Sequence, residues 1–215
     1  MAKLRITYNA PVVLTFAVLA LVVTFLPTET RVHYFSAHPA FYDWTSYLGL
    51  FTHILGHGSW DHYLGNFMLI LLLGPILEER HGSMSLLFMM LITALVTGLA
   101  NAALSSHPLM GASGIVFMMI LLASTANIKQ GEIPLTFIAV ALIYLGGEIY
   151  RAFANDDNVS RMAHLIGGLA GAVFGFIGAR RKGADAKPVK NLGLPAAKAA
   201  ELQKLTPKPK PKISA

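Results

Sequence analysis

The sequence predicts an all-α, polytopic membrane protein with six spanning helices. Three observations carry this. Hydrophobic residues fill 54% of the 215 positions and charged residues only 13%, about half the ~25% charge of a soluble domain. Six apolar segments follow one another with mostly short connections, and a span needs ~20 residues, so a chain of this length holds six. Inside a bilayer each segment must pair its own backbone groups, which makes it a helix. A soluble enzyme, a coiled coil and a disordered chain are excluded by the same figures.

In chain order, residues 1–9 form a basic start with Lys3 and Arg5, and the membrane domain is expected over 10–180. The first span covers about 10–26 and is stopped by Pro27. Its basic start and apolar core resemble a signal peptide. However, Pro27-Thr28-Glu29-Thr30 offers no small-x-small cleavage site and further spans follow, so a retained helix is expected. The long connection 27–61 is rich in aromatic residues and histidine (Tyr34, Phe35, Phe41, Tyr42, Trp44, Trp60), which suits a membrane interface. Spans two to six are placed at about 63–77, 84–104, 113–126, 133–147 and 162–179. The fourth is short, and Ser105–Ala112 before it is expected to dip into the protein from outside. Non-helical backbone at depth needs buried or wet surroundings. The tail 181–215 carries Pro207-Lys208-Pro209-Lys210-Pro211-Lys212, which cannot be a helix interior. It is read as a disordered basic segment with a weak attraction to anionic lipid.

Lysine and arginine set the orientation. With the N-terminus inside, the inner side holds Lys3, Arg5, Arg80, Lys129 and Arg180-Arg181-Lys182, and the outer side Arg31, Arg151 and Arg161. Both ends then face the cytoplasm. The net charge of +6 is mostly a property of the tail, and without a long arginine stripe no nucleic-acid partner is expected. The absence of cysteine excludes disulfides, thiolate metal sites and a cysteine nucleophile.

Ionisable and polar groups within spans are functional candidates by default. His62 and Asn66 share one face at the outer end of the second span. Ser113 opens the fourth span on the same side, and His164 lies near the outer end of the sixth. A serine needs a base to take its proton, and His164 is the nearest in depth. Gly111 and Gly114 let the backbone turn sharply and a substrate approach. A helix start at Ser113 would direct free N–H groups and the positive dipole end at a developing oxyanion. Asn66 and His62 could add donors. Asp156 and Asp157 lie in the preceding loop, so a Ser–His dyad is expected rather than a triad. Singly, Ser113 could be a helix cap, His62 an interfacial residue, His164 a partner for a backbone carbonyl, and Asn66 glue between helices. Ala163, Gly167, Gly171, Gly175 and Ala179 form a small-residue stripe that permits close packing of the sixth span, with the fourth as its natural partner.

These residues resemble the rhomboid intramembrane serine proteases from about Phe51 to Gly175. Phe51-Thr52-His53 with His57, His62 and Asn66 is similar to the family's second-helix signature. Glu78-Glu79-Arg80-His81-Gly82 resembles its cytoplasmic turn. Gly111-Ala112-Ser113-Gly114 resembles its nucleophile motif, and Ala163-His164 with Gly167 and Gly171 that of its sixth helix. The resemblance implies a rhomboid-like fold with a wet cavity open to the outside. It makes Ser113 the nucleophile and His164 the base, with His62, Asn66 and the Ser113 N–H as the oxyanion hole. It also implies single-span membrane proteins as substrates, cut in or near the span, with no cofactor and no metal. Many members carry Trp-Arg in the first loop, where this chain has Leu48-Gly49. Many carry tyrosine four residues after the nucleophile, where it has Phe117. The six-span core points to a bacterial plasma membrane.

Three rivals remain at this level. His53, His57 and His62 could hold zinc, though no H-E-x-x-H is present. A non-catalytic relative that binds membrane clients would keep the fold but typically lose the serine or histidine. A transporter would place broken helices near the midplane in repeated halves, and no repeat is visible. Glu148 is read as an interfacial acid near Arg151, and Glu78 and Arg80 as residues tying the second and third spans.

Overall fold

The computed structural model describes residues 7–125, 133–143 and 159–184. Lys3, Arg5, Lys129, the end of the fifth span (144–147), Glu148, Arg151, Asp156, Asp157 and the tail from 185 lie outside them. The elements are α1 (Pro11–Thr24), α2 (Thr28–Tyr34), α3 (Trp44–Thr52), α4 (Trp60–His81), α5 (Ser83–Leu104), α6 (Ser113–Ser124), a helical stretch α7 at 135–143, and α8 (Val159–Ala184). Among the described residues no strand forms, and a single antiparallel bridge joins Ala37 to Leu109.

Local chemistry accounts for the boundaries. α1 begins at Pro11, whose fixed φ suits a first turn. Ala10 before it has no side chain to cap the helix. The buried Glu78 carboxylate does so instead, accepting the Val12 and Val13 N–H groups at 3.0 Å each. This corrects the expectation that Glu78 ties the second and third spans: it ties the C-terminal end of α4 to the start of α1. The outer connection holds two helices that were foreseen only as interfacial structure. Asp43 caps α3 by accepting from Thr45 N (2.9 Å) and Ser46 N (3.2 Å). Ser59 caps α4 through the His62 N–H at 3.1 Å. α4 ends at Gly82, whose φ of +83° turns the chain directly into α5.

α4 and α5 are each long and apolar enough to cross a membrane by length and composition. α1, α6 and the Ala163–Gly178 part of α8 are apolar but shorter. On α4, Leu64, Met68, Leu72 and Ile76 lie one turn apart and all stand more than half exposed, a continuous apolar stripe that suits hydrocarbon rather than water. The centre is α6. It is apolar on every side, and Ile115, Met118, Met119, Leu121 and Leu122 are all fully buried.

α8 lies on α6 in parallel. A Cβ on Gly167 would collide with the backbone of Gly114, one on Gly171 with Met118, and one on Gly175 with the Thr125 side chain. The small-residue stripe therefore brings two backbones into direct contact, with the fourth span as its partner.

Candidate active site

Ser113 is the first residue of α6 and is half-buried. The first intrahelical bond beyond it runs from Val116 N to Ala112 O (3.0 Å), so the N–H groups of Ser113, Gly114 and Ile115 precede the hydrogen-bonded ladder. Ala112 supplies no side-chain cap. The helix thus starts with free donors and a positive dipole end at the serine.

The turn into Ser113 is held from behind by the connection 27–61. Ala37 and Leu109 exchange both backbone bonds, at 2.8 and 2.9 Å. Asn101, near the C-terminal end of α5, donates its amide to Ala37 O (2.9 Å) and His107 O (3.1 Å). The His53 carbonyl accepts the Gly111 N–H at 2.9 Å. Gly111 takes φ +138°, and a Cβ there would lie 2.6 Å from His62 Cε1. The position thus requires glycine twice over, for its backbone angle and for the imidazole against it. His62 is thereby set over the turn two residues before Ser113.

His164 reaches the same place from α8. Its ring stacks flat on Phe117, with centroids 4.4 Å apart and planes 5° apart. Phe117 is one helical turn along α6 from Ser113. At Gly114 a Cβ would lie 3.3 Å from the Ala163 carbonyl, so the residue before the histidine touches the residue after the serine. His62 lies within electrostatic range of His164.

Asn66 is buried one turn along α4 from His62, and among the described residues its Nδ2 has no acceptor. An amide acting as glue between helices would spend that donor on a neighbour. A buried donor without a partner costs free energy that an arriving oxyanion would recover.

Of the histidines proposed for zinc, His53 uses both ring nitrogens inside the fold. Nδ1 lies 3.0 Å from Gly49 O and Nε2 3.2 Å from Thr97 Oγ1. A carbonyl only accepts, so Nδ1 carries the proton; the Thr97 hydroxyl beside Nε2 also donates to Thr93 O at 2.8 Å. His57 Nδ1 donates to Leu55 O at 3.2 Å. Burial pushes His53 down to about 4, and burial followed by the charges of His62 and Arg31 does the same to His57.

Of the four polar residues singled out in the sequence, the structure sets His62 beside the turn before Ser113 and His164 one turn along α6 from it, while Asn66 is buried one turn along α4 from His62. The structure adds two that were not: Asn101 and Arg31. Asn101 was open to detection, being a polar residue near the outer end of an apolar span, at the depth of the others. Arg31 carried no local signal, because its role depends on contacts 26 residues away along the chain.

The Rhomboid domain family matches residues 44–181. The chain is 33% identical over 144 residues to Rhomboid-related protein 1 of Caenorhabditis elegans, covering 62% of this chain and 38% of that protein. It is 25% identical over 154 residues to Rhomboid protease GlpG of Haemophilus influenzae, covering 69% of this chain and 79% of the relative. With a family match over more than half its length, containing the α6 turn and both contacting helices, the chain belongs to the rhomboid family, whose members are embedded in membranes.

Proposed function

We propose that this chain is an intramembrane serine endopeptidase that cuts single-span membrane proteins in or near their spans. The observation that carries the reading is the flat stack of His164 on Phe117, one turn from a serine that opens a buried helix. In this mechanism Ser113 Oγ attacks the scissile carbonyl carbon as His164 takes the hydroxyl proton. The carbonyl π electrons move to oxygen, and that oxyanion accepts hydrogen bonds from the Ser113 N–H, the Asn66 amide and His62. When the intermediate collapses the C–N bond breaks, and His164 gives its proton to the leaving amine. Water then attacks the ester as His164 takes its proton; the C–O bond to Ser113 breaks, His164 returns that proton to Ser113 Oγ, and the new carboxylic acid leaves and ionises. The chain's own residues supply each part, and the chemistry calls for neither cofactor nor metal.

The same reading takes the fold as six spans with both ends on the cytoplasmic side of a bacterial inner membrane. The outer connection would then lie at the outer leaflet, with lipid and transmembrane substrates as its partners. The exposed aromatic residues Tyr42, Trp44 and Tyr47 support that placement.

The test is cleavage of a single-span substrate in liposomes by wild type and by Ser113→Ala. Wild type is expected to cut and the variant, equally folded, not to cut. Equal cleavage by both would overturn the serine mechanism. A well-folded wild type that binds such proteins without cutting them would favour a non-catalytic client-binding member instead.

A further inference from the structure

Arg31 lies in α2, in the outer connection, and is only 9% exposed. Burying a cation costs several kcal/mol unless it is compensated, yet no carboxylate pairs with it among the described residues. Its NH1 donates to the His57 carbonyl and its NH2 to Thr28 Oγ1 at 2.9 Å. This buried charge is therefore met by the Thr28 hydroxyl within α2 and by one backbone carbonyl 26 residues away.

That carbonyl ends a segment, 53–57, that supports the candidate active site at two points. The His53 carbonyl holds the Gly111 N–H. The His57 ring meets the His62 ring with centroids 5.1 Å apart, and His62 in turn lies against Gly111. Between these points, Gly56 fits between the Phe35 carbonyl and the Met110 side chain, so a Cβ there would strike both. α2, the 53–57 segment and the nucleophile turn are thus stacked in that order. In the same loop a Cβ at Gly49 would collide with the Ser36 carbonyl, so α3 also packs closely on the end of α2.

We propose that Arg31 is a positioning residue of the active site: by holding the His57 carbonyl it fixes the 53–57 segment, and so the placement of His62 at the oxyanion. The inference rests on the protease reading above. It differs from a purely structural role because Arg31 would act through His62, so the two residues must be coupled in turnover.

The experiment is a double-mutant cycle of Arg31→Met and His62→Ala on the full chain in detergent. Turnover is expressed per active site, with active sites counted by end-point fluorophosphonate labelling, so that lost folded protein is separated from slowed chemistry. Arg31→Met is expected to lower kcat about tenfold in the wild-type background, with KM nearly unchanged. In the His62→Ala background the further loss is expected to stay below about twofold. Arg31→Lys, which keeps a cationic donor for the His57 carbonyl, is expected to recover part of the rate. An equal factor in both backgrounds, or no loss in the first, would overturn the proposal while leaving the protease reading intact. If neither the Met nor the Lys variant yields folded protein, Arg31 is a determinant of folding alone and the proposal fails. A wild type that neither labels nor cleaves would instead remove the reading beneath it.

Discussion

The two ends of α4 treat a buried polar side chain in opposite ways. At the C-terminal end, each Glu78 carboxylate oxygen accepts a backbone N–H of α1 at 3.0 Å. Two orphan donors of a helix start and one buried carboxylate satisfy each other. Toward the N-terminal end, Asn66 is also buried but keeps an amide donor with no partner among the described residues. One end uses polarity to hold two helices together. The other withholds it, which lowers stability unless something else supplies the acceptor. On the protease reading proposed above, that donor is kept for the oxyanion.

Separating the two ends by mutation sharpens the contrast. Asn66→Ala is expected to cut turnover by about 10²–10³, the usual effect of one oxyanion donor. It should leave thermal stability nearly unchanged, since the amide N–H loses no partner. Steady-state kinetics beside a melting curve decide it, and a change confined to KM would make Asn66 a substrate-binding residue instead. Glu78→Ala is expected to do the reverse. It strands two backbone donors and should cost about 1–3 kcal/mol of stability, while turnover per active site stays at the wild-type value. Slowed turnover in folded Glu78→Ala would show that the two ends are not independent.

The remaining effect is expected on mild acidification, and it belongs to the 53–57 segment. His53 and His57 are held neutral, down to about 4 from 6.5. Between those values the unfolded chain takes up protons that the folded chain refuses. Stability is therefore complete above pH 6.5 and is lost progressively as pH falls toward 4. The thermal midpoint measured across that window should fall, and His53→Gln should reduce the slope. A midpoint that stays level would mean that these histidines are not buried as described.

Much of this was legible in the sequence, for physical reasons that differ by element. The apolar runs behind α1, α4, α5 and α6 are visible because hydrocarbon tolerates little else. Ser113, His62, Asn66 and His164 stand out because polar groups at depth are expensive. The glycine stripe of α8 announced close packing, and the structure supplies the partner backbones at Gly114 and Met118. What the sequence concealed are ties made between residues distant along the chain. Glu78 reads as part of a turn, yet its acceptors serve Val12 and Val13, more than sixty residues earlier. Arg31 looks like an ordinary outer charge until α2 folds it under the His57 carbonyl. The bridge between Ala37 and Leu109 joins two segments with no strand periodicity at all. Local pattern reports burial and period, whereas long-range hydrogen bonds leave no periodic trace.

The most direct test of the central claim is fluorophosphonate labelling of the solubilised protein, with wild type beside Ser113→Ala and His164→Ala. An activated serine at the start of α6, served by a histidine from α8, predicts labelling of wild type and of neither variant. Labelling that persists in Ser113→Ala, or a well-folded wild type that takes no label, would contradict it.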